Sequence, residues 1–220
     1  MKILILGSGN MGLTYAQCFV RSRIVTSENM MVLCRTYEKA NHLSANYEAR
    51  FFSDPRLCVP EADLLILAVK PQDSAKLFSE IQGLTDSGQV LLSIMAGVRM
   101  EVISKALGMK KITRAMPNLP AQIGEGVTAF TSTDEVTRIE LVMVQNLLNT
   151  TGKTLYVEQE AMLDAATAIS GSGPAYVYFF MNAMIEAAKE MGFSPSEAEL
   201  LVAQTFTGAI GLYNKSDLSC

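Results

Sequence analysis

Residues 3–12 read Ile-Leu-Ile-Leu-Gly-Ser-Gly-Asn-Met-Gly, an apolar run followed at once by the pattern GxGxxG. The run predicts a buried strand over 2–6, and the residues behind it predict a helix over 10–22. Glycines between a strand and a helix allow a tight turn and bring the backbone close to a pyrophosphate at the helix N-terminus. An ordinary glycine-rich turn is the alternative. The pattern predicts a dinucleotide-binding turn made by Gly7, Ser8, Gly9, Asn10, Met11 and Gly12.

The alternation of short apolar runs with helical patterns continues to about residue 115, which indicates βαβ units and a parallel sheet. Most of the runs are apolar throughout, as expected of strands that helices cover on both faces. Strands are predicted over 2–6, 30–34, 64–69, 89–94 and 111–116, with further ones near 126–131 and 153–157. Helices are predicted over 10–22, 36–47 and 71–82, and near 134–150.

Beyond residue 158 the pattern becomes helical, with helices predicted over 159–169, 174–191 and 195–213. The predicted fold class is therefore α/β: a Rossmann-like doubly wound parallel sheet over 1–158, followed by an all-helical dimerisation domain over 159–220. Residues 175–181 are apolar most of the way round their helix. Packing on one side against a sheet cannot bury such a helix, whereas a second subunit can.

One uncharged stretch is long enough to span a bilayer, since residues 165–185 carry no charge over 21 positions. Gly171, Ser172, Gly173 and Pro174 interrupt the stretch near its middle. A buried helix is therefore predicted there instead of a membrane span.

The composition is that of a globular chain, with 49% hydrophobic and 18% charged residues among 220. A net charge of −4 does not suit a protein that coats nucleic acid or an anionic membrane. The first 110 residues carry 12 Lys and Arg against 10 Asp and Glu, and the last 110 carry 6 against 12. An anionic ligand should therefore prefer the first half.

The cysteines, Cys18, Cys34, Cys58 and Cys220, form no CxxC pair, and the first three stand among apolar residues as buried free thiols do. The apolar run before Gly7 is shorter than a secretory signal requires. We therefore expect a reducing, cytoplasmic compartment.

The end of the second strand bears on the choice of dinucleotide. NAD is usually anchored there by a carboxylate that binds the adenosine ribose, but this sequence has Cys34, Arg35 and Thr36. A guanidinium beside a hydroxyl suits a 2′-phosphate, so NADP(H) is predicted, and NAD(H) is the alternative. Arg35 as a solvated residue at a helix start is the other interpretation. Two more strand ends should approach the dinucleotide, through Ala68, Val69, Lys70 and Pro71 and through Met95, Ala96 and Gly97.

The single histidine, His42, falls in a predicted helix away from these strand ends. Without it the sequence has no Ser/His/Asp or Cys/His arrangement and no His-rich metal cluster, so triad hydrolysis and zinc chemistry are not expected and no metal is predicted. An imine suits a nicotinamide enzyme without a histidine base. Its nitrogen arrives already protonated, so the enzyme has mainly to orient it.

Five segments stand in one order along most of the chain: GSGNMG at 7–12, LILAVKPQ at 65–72, AMPNLPAQIGEGVTAF at 115–130, AISGSGPAYVYFF at 168–180 and AQTFTGA at 203–209. Together they resemble the Δ1-pyrroline-5-carboxylate reductase family. SGSGPAY and MPNxP are the most specific, because neither is a general dinucleotide feature. The resemblance implies reduction of pyrroline-5-carboxylate to L-proline with NADPH or NADH. It also implies homodimers paired through the C-terminal helices and often assembled into larger rings.

The resemblance also implies roles for individual residues. The pyrophosphate would lie at 7–12, the 2′-phosphate at 34–36, and the nicotinamide end at 68–71 and 95–97. Asn118 would lie near the reacting ring, and Glu160 matches an acid that contacts the proline-like ligand. Ser170, Gly171, Ser172 and Gly173 would form the turn into the dimer helix, close to the nicotinamide. Structural roles stay open for each: a turn cap for Asn118, a helix-start charge for Glu160 and a hinge for the turn.

Three positions depart from the family pattern. Leu119 stands where Thr is usual, and Asp54-Pro55 stands where an adenosine-contacting Asn is common. The printed sequence ends at 217–220, where relatives continue with a segment resembling VxSxGGTT that holds the substrate carboxylate and ring nitrogen. A piece of a longer protein and a natural short form both stay open. So do three functions: reduction of pyrroline-5-carboxylate, reduction of another cyclic imine acid, and a regulatory relative that binds NADP(H) and dimerises without catalysis.

Overall fold

The structure is a computed structural model that describes residues 1–216, so Cys220 lies outside the described residues. The strands in this range are β1 Ile3–Leu6, β2 Met30–Leu33, β3 Arg50–Phe52, β4 Leu64–Leu67, β5 Val90–Ser93, β6 Ile112–Met116, β7 Gly126–Ser132 and β8 Gly152–Tyr156. The helices are α1 Asn10–Arg21, α2 Tyr37–Ser44, α3 Ser74–Ile81, α4 Met100–Leu107, α5 Arg138–Asn149, α6 Met162–Ala166, α7 Gly173–Glu190 and α8 Pro195–Lys215.

All of the described strands belong to one sheet, in the order β3-β2-β1-β4-β5-β6-β7-β8. β1 is an inner strand, third from one edge of the sheet, and pairs in parallel with β2 on one side and β4 on the other. Strands β1 to β6 are mutually parallel, β7 runs antiparallel to β6, and β8 is parallel to β7. The predicted α/β fold is therefore confirmed. The strand order reverses between β1 and β4, and open α/β sheets bind ligands at such a switch point.

Helices cover both faces of the sheet, and the side chains of β1 alternate between them. Ile3 and Ile5 pack in a core with residues of α1, α2 and α5, and Tyr15 and Phe19 of α1 are fully buried in it. Leu4 and Leu6 pack on the opposite face with residues of α3 and α4. Every residue of β1, β2, β4 and β5 is buried, which explains why these strands are continuously apolar.

Two short elements were not predicted from the sequence. β3 is three residues long and half-buried, so it has little apolar signal. α4 has eight residues, of which Ile103 and Leu107 are buried, and it ends at Gly108, whose φ is +69°. Such short elements depend on tertiary packing more than on their own pattern. The helix predicted over 36–47 is shorter, and the one predicted over 71–82 begins as a 3₁₀ turn at Pro71–Asp73.

Contacts between backbone positions divide the chain into residues 1–171 and a second unit from Ser172 onward. The boundary predicted near residue 158 stays a prediction. In the second unit α7 and α8 are adjacent, with the rings of Phe180 and Phe206 edge to face at 6.0 Å. Ser194 and Glu197 form a capping box at the start of α8.

The burial predicted for the helix in the uncharged stretch is absent from the single chain, and the sequence assigned that burial to a second subunit. α7 has no buried residue, and its aromatic side chains are largely exposed, with Phe179 the most open at 80%. The reason is the one that the sequence indicates, since an all-round apolar helix cannot be covered from one side. Among residues 1–216 no helix combines the length and hydropathy needed to cross a membrane.

Candidate functional site: a dinucleotide cavity at the strand ends

The glycine turn after β1 has three glycines with three different surroundings. Gly7 has φ +120°, and a Cβ there would lie 2.9 Å from the carbonyl group of Ala68. A Cβ on Gly12 would lie 2.1 Å from the carbonyl oxygen of Gly7, so this glycine lets α1 pack directly on the turn. Gly9 has no neighbour within 4 Å of its Cβ position. The turn therefore needs Gly7 and Gly12 for its own packing, whereas Gly9 leaves open space.

The N-terminus of α1 is open to a ligand. Gly9 is its N-cap and supplies no side-chain hydrogen bond, and the first turn has no acidic residue. The first amides of a helix lack partners within the helix and carry a partial positive charge, which favours an anion. Together with the space at Gly9, this end of the helix fits the pyrophosphate of a dinucleotide.

A cavity of about 1090 Å³ extends from this turn across the carboxyl ends of β1, β2 and β4. Nine of the predicted cofactor residues line it: Gly7, Ser8, Gly9, Cys34, Arg35, Thr36, Ala68, Val69 and Lys70. The other predicted residues do not line it: Asn10, Met11, Gly12, Pro71, Met95, Ala96 and Gly97. The last three follow β5, the next strand along the sheet, and Met95 is buried.

The lining of the cavity includes five basic side chains, of which two were predicted from the sequence. Arg35 and Lys70 were predicted, and Lys39, Arg56 and Lys76 join them in the lining. Lys39 follows Thr36, which caps α2 by accepting a hydrogen bond from the Lys39 backbone N–H. Lys39 could have been predicted from the sequence, because it lies in the first turn of the helix that follows β2. That turn lies at the same edge of the sheet as the end of the strand.

Arg35 is exposed and pairs with Asp73, with Nη2 and Oδ2 3.1 Å apart. Its guanidinium is 72% exposed, so it stands in the open part of the cavity. An exposed pair of this kind contributes little to stability and exchanges readily for another anion. Arg35 is therefore available to an incoming phosphate.

Asp54 and Arg56 form a second charged pair in the lining. Asp54 accepts from the Arg56 guanidinium through Nε at 2.9 Å and Nη2 at 2.7 Å, and from the Arg56 backbone N–H at 3.0 Å. These bonds to Arg56 hold the pKa of the Asp54 carboxyl below its usual range. The Asp54 carboxylate therefore fixes an arginine at the cavity wall.

Cys34 lies at the end of β2 with 3% of its surface exposed. Burial raises the pKa of its thiol, and a hydrogen bond with Ser8 partly opposes that effect. The side chain at this strand end is therefore neutral.

Asn118 follows β6 and is half-buried. Its Oδ1 accepts a hydrogen bond from the Val127 backbone N–H at 2.9 Å, which ties the turn after β6 to the first residues of β7. The turn-holding role that the sequence left open is thus present. It uses the oxygen of the amide and leaves the Nδ2 donor with no hydrogen bond to the described residues.

Glu160 is held in an ion pair that the sequence analysis missed. Its Oε1 accepts from Arg114 Nη1 at 3.0 Å and from the Met100 backbone N–H at 2.8 Å. Arg114 also pairs with Asp164, with Nη2 and Oδ1 3.2 Å apart. A charged residue inside the apolar strand β6 was the available signal.

The SGSG segment spans a change of helix type. Residues Thr167–Gly171 form one π-helical turn, in which Ser170 Oγ donates to the Ala166 carbonyl. Gly171 lies against β6, since a Cβ there would come within 2.7 Å of Met116 Cε. Ser172 caps α7 and Gly173 is its first residue. Isolated π turns are frequent at functional sites. His42, by contrast, lies exposed in the last turn of α2.

Both halves of the chain match known families. Residues 160–219 match the family model "Pyrroline-5-carboxylate reductase dimerisation", and residues 2–97 match the model "NADP oxidoreductase coenzyme F420-dependent". Pyrroline-5-carboxylate reductase of Aquifex aeolicus is 39% identical over 213 residues, which are 96% of this chain and 78% of that protein. The chain belongs to the pyrroline-5-carboxylate reductase family.

Solved structures of pyrroline-5-carboxylate reductases have the same fold. The Plasmodium falciparum enzyme, crystallised with NADP bound, is 29% identical with a TM-score of 0.88, over 99% of this chain and 80% of that one. The Coxiella burnetii enzyme is 28% identical with a TM-score of 0.90, over 99% of this chain and 81% of that one. The resemblance to pyrroline-5-carboxylate reductases found in the sequence motifs is thus confirmed, and the glycine turn and cavity described above lie within the matched residues 2–97.

Proposed function

We propose that the protein reduces Δ1-pyrroline-5-carboxylate to L-proline by hydride transfer from NADPH, the last step of proline biosynthesis. The observation that carries the proposal is 39% identity to a pyrroline-5-carboxylate reductase along 96% of the chain. The cavity supports it, because its open helix N-terminus and its five basic residues against three acidic ones suit a phosphorylated dinucleotide.

On the cofactor side, the turn at 7–12 binds the pyrophosphate, and Cys34, Arg35 and Thr36 form the 2′-phosphate end. We add Lys39 and Arg56 to that end, since both line the cavity there. The nicotinamide lies towards 68–71 and 95–97. Because no carboxylate stands at residues 34–36, NADP(H) is the preferred cofactor, and NAD(H) binds more weakly.

On the substrate side we propose Asn118, Glu160, Ser170, Gly171, Ser172 and Gly173. The amide N–H group of Asn118 and the Oε2 atom of Glu160 make no hydrogen bond to the described residues. Both suit an amino-acid-like ligand that carries a carboxylate and a protonated nitrogen. The functional division proposed is a cofactor domain over 1–158 and a dimerisation and substrate domain over 159–220.

The proposed reaction requires little proton transfer from the protein. Bound NADPH supplies a hydride to the carbon of the C=N bond, and the nitrogen, which is already protonated, becomes the amine of proline. The residues named above bind the two ligands and orient them towards each other. This agrees with the position of the single histidine, which is exposed in α2.

The dimerisation match over 160–219 supports a homodimer, and we propose that α7 and α8 form its interface. Assembly of the dimers into a larger ring is part of the same proposal. Cys18, Cys34 and Cys58 are free thiols, which supports a cytoplasmic location.

The test is to incubate the protein with NADPH and pyrroline-5-carboxylate, follow NADPH loss, and identify proline by mass spectrometry. Proline formed in equal amount to the NADPH consumed is the expected result. Turnover only with the six-membered cyclic imine acid would replace the substrate in the proposal. NADPH binding and dimerisation without turnover of either imine would favour a regulatory relative and overturn the proposal.

A further inference from the structure

Arg114 is the only charged side chain that is fully buried among residues 1–216, with 3% exposed. It lies in β6, opposite Ser93 of β5. A buried charge is costly unless it is paired and hydrogen-bonded, so the partners of Arg114 indicate its structural role.

Its two partners differ in what else they contact. Glu160 accepts a hydrogen bond from Arg114 Nη1 at 3.0 Å, and its side chain is 24% exposed. Asp164 accepts one from Arg114 Nη2 at 3.2 Å, and its side chain is 54% exposed. The Glu160 Oε1 atom that binds Arg114 also accepts the Met100 backbone N–H at 2.8 Å. Among residues 1–216, the side chain of Asp164 makes no hydrogen bond to an element other than β6.

Met100 is the first residue of α4, and Arg99, its N-cap, makes no side-chain capping bond. Glu160, sixty residues away in the sequence, therefore caps α4. It accepts the Met100 N–H, which lacks a partner within the helix, and it places negative charge at the positive end of the helix dipole.

The segment between β5 and α4 is consequently fixed at both ends. At the β5 end, the Ile94 N–H binds the Leu67 carbonyl and the Met95 N–H binds Ser93 Oγ. At the other end, Glu160 holds Met100. Between them lie Met95, Ala96 and Gly97, with Gly97 at φ +72°.

We propose that Arg114 is a positioning residue for hydride transfer: through Glu160 and the Met100 N–H it sets the position of the segment 95–97. The inference rests on the proposed function, which places that segment at the nicotinamide. Arg114 touches neither ligand, and its effect is on where the nicotinamide-side backbone lies.

The experiment compares Arg114→Met with Asp164→Asn. The second variant weakens the ion pair between Arg114 and Asp164 and leaves the contact between Glu160 and α4 in place. Arg114→Met should lower kcat about tenfold or more, because sub-ångström to 1 Å displacements at a reacting centre can cost up to ~10²-fold. The Kd for NADPH should change less than kcat. Asp164→Asn should keep kcat near that of the unmodified protein.

Arg114→Lys keeps a cation in the strand and should recover part of the lost kcat, and it replaces Arg114→Met if the latter does not fold. Hydrogen exchange gives a readout that needs no activity. The Met100 amide should exchange faster in Arg114→Met than in Asp164→Asn. Equal effects of the two variants on kcat and on exchange would overturn the inference, since Arg114 would then serve only to anchor α6.

If the unmodified protein failed to reduce pyrroline-5-carboxylate, the proposed function would fail. The exchange comparison would still decide whether Arg114 acts on α4 through Glu160.

Discussion

Gly12 lies so close to Gly7 that a Cβ on Gly12 would stand 2.1 Å from the Gly7 carbonyl oxygen. Gly9, between them, has nothing within 4 Å of its Cβ position and adopts φ −82°, which any residue tolerates. The same short turn therefore contains two glycines needed by the protein's own packing, Gly7 and Gly12, and one, Gly9, whose free space is available to a ligand.

This contrast predicts that two glycine-to-alanine changes act differently. Gly12→Ala should destabilise the fold by about 1–3 kcal/mol through overpacking and should also weaken NADPH binding. Gly9→Ala should change stability by no more than about 0.5 kcal/mol yet weaken NADPH binding. Denaturant unfolding and NADPH titration of both variants measure this. If Gly9→Ala bound NADPH as tightly as the unmodified protein, the pyrophosphate would not lie against Gly9.

Cofactor preference should depend on Arg35. We expect NADPH to bind more tightly than NADH by roughly 1.5 to 3 kcal/mol, the contribution of one charge-assisted hydrogen bond. Arg35→Ala should shrink that gap, and Asp73→Asn, which releases Arg35 from its ion pair, should preserve or widen it. Dissociation constants for both cofactors in the three proteins are the measurement. Equal constants in the unmodified protein would contradict the assignment.

The exposed rings of α7 predict an obligate dimer. Tyr178, Phe179 and Phe180 are 56%, 80% and 60% exposed in the single chain, an apolar surface that soluble monomers rarely present. We expect light scattering at micromolar concentration to give a dimer, with a buried interface above about 1,600 Å².

A matched pair of variants tests where the dimer interface lies. Phe179→Glu should yield monomers, whereas Ile139→Glu, at an equally open position on α5, should leave the dimer intact. Monomers in the unmodified protein would refute the prediction.

The thiols should react in an order set by burial. Burial raises the pKa of Cys58 to about 12 and raises that of Cys34, so at neutral pH both remain protonated. Because a raised pKa lowers the thiolate fraction at any given pH, both should resist alkylation until the pH exceeds the ordinary thiol range. Burial raises the pKa of Cys18 too, but its side chain is partly exposed, so among the three thiols in residues 1–216 it should be labelled first.

Mass spectrometry after limited treatment with iodoacetamide gives the order of labelling. Bound NADPH should slow the labelling of Cys34, which lines the cavity, and leave that of Cys18 unchanged. Labelling of Cys58 before Cys18 in the native protein would contradict the burial argument.

The sequence predicted the sheet and the glycine turn because both are local patterns. The run at 3–6 is apolar throughout since helices cover both faces of β1, and the turn needs glycine at positions 7 and 12 for steric reasons. β3 and α4 were missed because their few residues carry no distinct period and form only against neighbours.

The charged network at Arg114 could not be predicted from any local pattern. Glu160 is 46 residues from Arg114 and 60 from Met100, so only the folded sheet brings them together. The other interpretation of Glu160, a charge at the start of its own helix, stays open, and the structure adds a contact with a second helix. The carboxylate lies at the start of α4, which is distant in sequence.

The order of elements along the chain separates two events during synthesis of the protein: folding of the sheet and release of α7. Every strand of the sheet lies before residue 157, and the exposed rings of α7 come after residue 175. Domains tend to fold from the N-terminus as they are synthesised. All strands of the sheet are therefore synthesised before α7, the helix with the exposed aromatic rings. If α7 forms the dimer interface as proposed, we expect two nascent chains to pair only after each has a folded sheet.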